Sequence, residues 1–514
     1  MTDWTAGYTA DLDYTHDFQR ELTPSLLAFC ATSQGVQHRL DGDTVTYCEL
    51  GCGYGMAANL LAAANPHIEF YAMDFNPVHI LGADKLAKDA ALENLHFYEQ
   101  SFDEFHNEPS LPEQFDVISL HGVYTWVSKD NQQLILDFIT KRLKPGGLVY
   151  VSYNTLPGWA GAVPLSRMIG ELIENGTGPI PDRIEAALEF CEMLQASGAK
   201  YFVDNPGLEK RLTKMRKMPK NYLAHEYMNS SWAPMHFTDM AADMSQAKMS
   251  YLGSANPMDH LDDLNFQPDQ IAMLDKEYDP VRRENLRDIL VNEQFRTDIF
   301  VRGRQPLTER GAVGAWFHTP FALTRPFTGE LPSIRWRLGE VPLEMHQVEP
   351  ILRTLSQGPA TVKELLDKGV FGEMTWGRIT HLLTSLAGAS HITPCLPLEG
   401  LEAREVTCRR MNEAVCKRAE DSEVIHFLAS PVTGGGIQVN RFEQLFLLAM
   451  SEGRQQPQDW AELVWMILAP QGQRVLKDGR QLETPEENLM ELTAQAEAFA
   501  TKRLPLLKKL GVPF

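Results

Sequence analysis

Nowhere in the 514 residues does an apolar run of about twenty residues go unbroken by charge or by a helix breaker, which excludes a membrane-spanning helix and membrane insertion. The opening residues, Met1 to Gly7, carry no basic stretch leading into an apolar one, so no secretory leader is expected and a cytoplasmic protein is. Cysteine is sparse and scattered, at Cys30, Cys48, Cys52, Cys191, Cys395, Cys408 and Cys416, with no C-x-x-C pair; a disulfide framework is excluded and reduced thiols are expected. Basic residues are outnumbered, 47 against 68 acidic, for a formal charge of −21, so a polyphosphate is repelled and nucleic acid is not an expected partner. His225-Glu226 lacks the second histidine of H-E-x-x-H, since Asn229 stands there, so a zinc protease is excluded and no metal is expected.

What is present is an ordinary globular balance, 44% apolar and 22% charged, over a length that calls for two to four domains. Residues 1–160 alternate strand and helix signals. Short apolar runs at 45–50, 68–74, 95–98, 115–120 and 148–153 are separated by helical stretches, the pattern of a doubly wound α/β sheet covered on both faces. Residues 161–305 change to helical periodicity, with helices expected over 182–194, 208–218, 237–246 and 279–299, so a mainly helical middle domain is expected. Residues 306–340, rich in Gly, Pro and Thr, read as a linker. In 341–514 three short helices and a strand, 348–355, 361–366, 375–386 and 392–394, suggest a winged-helix-like unit, followed by amphipathic helices. Its second and third helices hold only Lys363 and Arg378 as basic groups, which favours protein contact or dimerisation over DNA. The basic cluster Lys210, Arg211, Lys214, Arg216, Lys217 and Lys220 wraps around its helix and reads as a solvated face.

The chemistry centres on Glu49-Leu50-Gly51-Cys52-Gly53-Tyr54-Gly55, a glycine turn between a first strand and an Ala-rich helix, where backbone can approach a ligand closely. Asp74 ends the next strand, where a carboxylate can accept both hydroxyl hydrogens of a ribose. The glycine spacing departs from G-x-G-x-x-G, which argues against a dinucleotide. E-x-G-x-G-x-G instead resembles the class I S-adenosylmethionine-dependent methyltransferases. That resemblance places Glu49 near the methionine amino group, Gly51, Gly53 and Gly55 with Cys52 against the cofactor, Asp74 at the ribose with Phe75 next to it among the cofactor positions, and Ser101 and Phe102 beside adenine. It adds His121 to the cofactor positions, and Leu143-Lys144-Pro145-Gly146-Gly147 matches a turn common in that fold.

Two loop clusters follow the fourth and fifth strands, His121-Gly122-Val123-Tyr124-Thr125-Trp126 and Tyr153-Asn154-Thr155-Leu156-Pro157-Gly158-Trp159. Open parallel sheets bind ligands at such positions, so Tyr124, Trp126, Asn154 and Trp159 are candidates for the acceptor side, with core packing the alternative for the three rings. Tyr8 and Tyr14 belong to an aromatic, acidic N-terminal segment, either a lid over the cofactor or a helix packed outside. Together with Tyr222 to Asn229, Gly253-Ser254-Ala255 and Phe295 to Phe300, these segments resemble bacterial methyltransferases carrying a methyltransferase regulatory domain, among them the rickettsial outer-membrane-protein lysine methyltransferases. The resemblance implies a Rossmann-like catalytic domain, a helical middle domain, a winged-helix-like C-terminal region, often a homodimer, and transfer of methyl from S-adenosylmethionine, leaving S-adenosylhomocysteine. A protein lysine is the favoured acceptor; a small molecule, or a regulator that binds cofactor without turnover, is the alternative. In residues 1–155, 21 acidic residues against 8 basic ones would steer a cationic segment toward the site, although an acidic surface also serves solubility.

Overall fold

The computed structural model describes residues 16–42 and 44–512. Its centre is a seven-stranded sheet in the order β3-β2-β1-β4-β5-β7-β6, formed by β1 Val45–Leu50, β2 Ile68–Asp74, β3 Leu95–Glu99, β4 Phe115–Leu120, β5 Leu143–Asn154, β6 Met249–Ser254 and β7 Phe295–Arg302. The first five strands are parallel and β7 runs antiparallel between β5 and β6. Alternation along the strands divides the core between two faces. Tyr47, Phe70, Ala72 and Tyr150 face helices α1 (Pro24–Ser33) and α2 (Met56–Ala64). Cys48, Leu50, Ile118, Val149 and Val151 face the other side with Phe105 and Phe138. The latter two belong to helices α4 (Phe102–Asn107) and α5 (Lys129–Arg142); α3 spans Pro77–Asp89.

Two differences from the sequence-based expectation matter for the site. The stretch 161–305 is not helical throughout, since β6 and β7 return to the N-terminal sheet and complete it. The helix expected over 279–299 ends at Val291, because Asn292 takes a left-handed conformation (φ 53°), and the alternating run after it becomes β7. What stands between β5 and β6 is an inserted bundle, with helices Val163–Glu174, Ile180–Ala196, Gly207–Met215 and Lys220–Tyr227 packing a separate core around Ile169, Leu188, Cys191, Leu212 and Leu223.

The segment 306–340 is likewise more than a linker. It forms the helix Glu309–His318 and the strand Pro320–Leu323. That strand lies between Ala360–Thr361 and Ile392–Pro394, antiparallel to both, and with helices Met345–Leu355, Val362–Asp367 and Trp376–Gly388 it makes the winged-helix-like unit. Its central strand therefore precedes the helices instead of following them.

The C-terminal helices are part of the same core. All nine residues of α2 are buried, because the sheet covers one side and the helix Leu401–Arg418 and hairpin Phe427–Ser430/Gly435–Gln438 cover the other. The carbonyls that a helix C-terminus leaves open are met from that region. Thr407 Oγ1 and Cys408 Sγ donate to Ala63 O, and Asn65 Nδ2 bridges Leu61 O and Gly434 O at 2.8 Å each. All seven cysteines are free. Among the described residues no helix is long and apolar enough to cross a membrane.

Candidate functional site

The turn after β1 is tied to the end of β2: the amides of Gly51 and Cys52 both donate to Met73 O at 2.9 Å. Gly51, Gly53 and Gly55 all have positive φ, 76°, 53° and 62°. A Cβ at Gly51 would stand 2.7 Å from Val123 Cγ2, and one at Gly55 2.6 Å from Ala83 Cβ and 2.7 Å from Phe97 Cε1. Glycine is thus required at both ends of the turn, by conformation and by space. Asp74, only 6% exposed, is aimed at this turn: Oδ2 accepts from Gly53 N at 2.9 Å, while Oδ1 accepts from Asn76 N at 2.9 Å and lies 3.2 Å from His79 Nδ1. A carboxylate offers about four acceptor positions, so these donors fix its orientation and leave capacity for a ribose hydroxyl. Tyr54 packs between His16, stacked at 4.2 Å, and His79 at 4.7 Å, closing the outer side of the turn.

Glu49 is buried at the end of β1 and its Oε2 has no hydrogen-bond partner among the described residues. Burial, and then the Asp74 carboxylate, pushes its carboxyl up to about 8. A buried carboxyl with an open oxygen beside a glycine cradle, and a second carboxylate at the next strand end, make the acceptor set that a cationic amino-acid group linked to a nucleoside requires. Cys52 is no nucleophile here, since burial, then Asp74 and Glu49, raise its thiol well above the ordinary range.

The acceptor side is built by register. Glu49 pairs with Ser119, Ser119 with Tyr150, and Asn154 with Phe295. Residues paired across strands share a face, as do residues two apart along one strand, so Glu49, His121, Ser152, Asn154 and Phe295 all stand on the α1 and α2 face at one edge of the sheet. His121 Nδ1 lies 2.8 Å from Tyr150 Oη and 3.1 Å from Ser152 Oγ, and its ring meets Phe295 edge-on at 6.2 Å. Burial pushes the imidazole down to about 4, so it is neutral at physiological pH. The backbone of Asn154 is held by Thr125 Oγ1 and Met235 N, while its side-chain amide has no partner among the described residues. Phe295 is 42% exposed, a large ring left open to solvent beside a half-buried histidine.

Other sequence candidates lie apart. Tyr124 is in the core, fully buried, its hydroxyl donating to Asp243 Oδ2 at 2.9 Å, because the loop turns its ring inward after β4. Trp159 roots the inserted bundle: it is buried in that bundle's core with the Arg211 guanidinium 3.8 Å above it. Trp126 reaches the bundle through Trp232, which lies 5.9 Å from Trp126 and 4.9 Å from Trp159. Ser101 caps α4 in a reciprocal pair with Glu104, and the half-buried ring of Phe102 packs beneath it against the core. Phe75 is half-buried one residue beyond Asp74. Tyr8 and Tyr14 fall outside the described residues. Of the basic cluster, Arg216 is held by Glu192 at 2.7 Å and by Glu185, and Lys220 by Glu185, so those charges knit the bundle together. Sequence reasoning missed His79, Trp232 and the role of Phe295, for which only proximity in the fold gives a signal.

Comparison with known proteins agrees with this geometry. A methyltransferase domain family matches residues 41–176, and a predicted methyltransferase regulatory domain matches 219–302. The second match contains β6 and β7, so the two families share one sheet. A protein of Synechocystis sp., described as uncharacterized, is 40% identical over 509 residues, 99% of each chain. One of Rickettsia prowazekii is 29% identical over 257 residues, 49% of this chain and 45% of its own. Among solved structures, PKMT2 from Rickettsia typhi in complex with AdoHcy superposes with a TM-score of 0.71 at 17% identity, covering 95% of this chain and 98% of that one.

Proposed function

The chain belongs to the class I S-adenosylmethionine-dependent methyltransferases that carry a methyltransferase regulatory domain, and from that membership we propose that its acceptor is the side-chain amine of a protein lysine. The bound cofactor supplies a methyl group on a sulfonium whose departure leaves a neutral thioether. The chain's own residues then have three tasks. Glu49, ionised, pairs with the amino-acid ammonium of the cofactor; Asp74 takes a ribose hydroxyl; and the glycine turn allows the backbone close to both. The edge beyond β4 and β5 must receive the nucleophile in line with the methyl and keep water out, which is the main lever for a reaction needing little acid or base assistance.

The observation that carries the lysine reading is the unpartnered amide of Asn154 beside the exposed ring of Phe295 on the face of the sheet that holds Glu49. An amide oxygen accepts an N–H of an amine, and an aromatic face favours a cationic centre, including the methylammonium product. A lysine amine, ordinarily near 10.4, must be neutral to attack, and such apolar surroundings lower it. The shared fold with PKMT2, including the inserted bundle and C-terminal region, supports the same reading.

The test is transfer of labelled methyl from S-adenosylmethionine into a lysate of the source cells, resolved into protein and small-molecule fractions. Label in discrete protein bands, stable to mild base and mapped to lysine, is the expected result. Label confined to small molecules would replace the lysine reading with a metabolite methyltransferase.

A further inference from the structure

We propose that His121, through Nε2, is the second acceptor for the incoming amine, acting with Asn154 and under the ring of Phe295, and is not a cofactor ligand. The proposal rests on the lysine reading and assigns the atoms that meet the amine. His121 follows β4, Asn154 ends β5 and Phe295 opens β7, three neighbouring strands, and register puts the three side chains on one face. Nδ1 is already engaged by Tyr150 Oη and Ser152 Oγ, and Ser152 Oγ accepts from Gly122 N at 2.8 Å. Nε2 has no hydrogen-bond partner among the described residues, and the half-buried ring leaves that edge accessible.

The tautomer decides what Nε2 can do, and the proposal assigns the proton to Nδ1. Either hydroxyl can accept, so an Nδ1–H donating to them leaves the Nε2 lone pair free. A neutral imidazole in that tautomer accepts one N–H of the neutral amine and Asn154 Oδ1 a second, which turns the nitrogen lone pair toward the methyl group. In the transfer the nitrogen–methyl bond forms from that lone pair, the sulfur–methyl bond breaks with its electrons going to sulfur, and the product amine carries the positive charge until it loses a proton to water. A protonated imidazole would donate, not accept, and would repel that product. The titratable groups around His121 are Tyr150 and Tyr47, Glu49 on the adjacent strand, and Glu21 and Asp298, whose charges act on Tyr150. None of them sets the imidazole, because burial alone depresses it. The site therefore keeps its neutral acceptor over the range in which lysine is methylated.

The experiment uses the full chain with 15N-labelled histidine, with His121→Gln to identify the signals. We expect Nε2 of His121 unprotonated, Nδ1 protonated, and no titration between pH 6 and 9; a protonated Nε2 overturns the proposal. In parallel, His121→Ala should lower kcat/KM for the protein acceptor by about a hundredfold while the calorimetric Kd for S-adenosylmethionine stays within about twofold. Phe295→Leu should act in the same direction, mainly on KM. A His121→Ala protein that loses cofactor binding but keeps its acceptor KM would return His121 to the cofactor side. If the wild type labels no lysine, the lysine reading fails by itself; a wild type that labels lysine beside an unaffected His121→Ala variant defeats only this inference.

Discussion

Burial of the Glu49 carboxyl with one oxygen unpaired leaves it largely protonated at neutral pH, and both its binding and its stability effects can be measured. Pairing with an ammonium requires the ionised form, so S-adenosylmethionine should release close to one proton per site at pH 7, and its affinity should rise with pH at up to about tenfold per unit below pH 8. Calorimetry in two buffers of different ionisation enthalpy reads the proton directly. The carboxyl is raised in the folded state, so its contribution to folding is fully present below the unfolded value near 4.5 and is lost as pH climbs through 8. Glu49→Gln should accordingly raise the Tm of cofactor-free protein at pH 9 relative to wild type, with little difference at pH 5, while weakening cofactor binding. Asp74→Ala removes the oriented ribose acceptor and should raise the cofactor Kd by about tenfold or more, again by calorimetry. At this scale the sequence was legible where chemistry is local. Glu49, the glycines and Asp74 are consecutive or sit at strand ends, and the fold brings them together. Tyr124 stays open between site and core in the sequence, because a loop aromatic and a core aromatic look alike until the loop's direction is known, and Phe295 is invisible as a site candidate because its neighbours come from β4 and β5.

Elements are where the turn's geometry becomes a stability question. Gly55 has to be left-handed and its missing Cβ admits Ala83 from α3 and Phe97 from β3. Gly55→Ala should cost about 2–4 kcal/mol from conformation and overpacking together, seen as a Tm lowered by several degrees with or without cofactor. A substitution at Gly122, equally positive in φ but facing open space, should cost only its conformational share. The first five strands were readable because each is a short apolar run bounded by turns. β7 was not, because the helical pattern before it continues smoothly into Val291 and the break is one asparagine; the alternation in Phe295-Arg-Thr-Asp-Ile-Phe-Val-Arg302 was the available clue. Likewise Pro320–Leu323 is too short for periodicity to distinguish from a linker, and only its pairing on both sides makes it a strand.

Over the whole molecule, catalytic sheet, winged-helix-like unit and C-terminal helices share one continuous core, with α2 enclosed between the sheet and the C-terminal region. A chain ending at residue 397 would strip one side of α2, leave Ala63 O without its Thr407 donor and expose the Ala-rich surface next to the cofactor turn. We expect that truncated chain to lose its cooperative melt and its affinity for S-adenosylmethionine, whereas two chains co-expressed after a break in the exposed 398–400 turn should reassociate and bind; protease resistance and calorimetry report both outcomes. None of this long-range closure has a local signature, since residues 344 and 369 positions apart meet only in the fold.

The order of the strands also sets a timetable for synthesis. β5 is complete at Asn154, yet the strand that pairs with its open edge ends at Arg302, and 148 residues separate them. At about 5–20 residues per second, a ribosome takes roughly 7–30 s to cover that distance, while the inserted bundle, whose contacts are local, has time to fold. For that interval the nascent sheet presents an unpaired strand of apolar residues, the condition under which edges recruit the wrong partner. The proposed acceptor edge, needing Phe295 at the start of β7, is among the last features of the sheet to form.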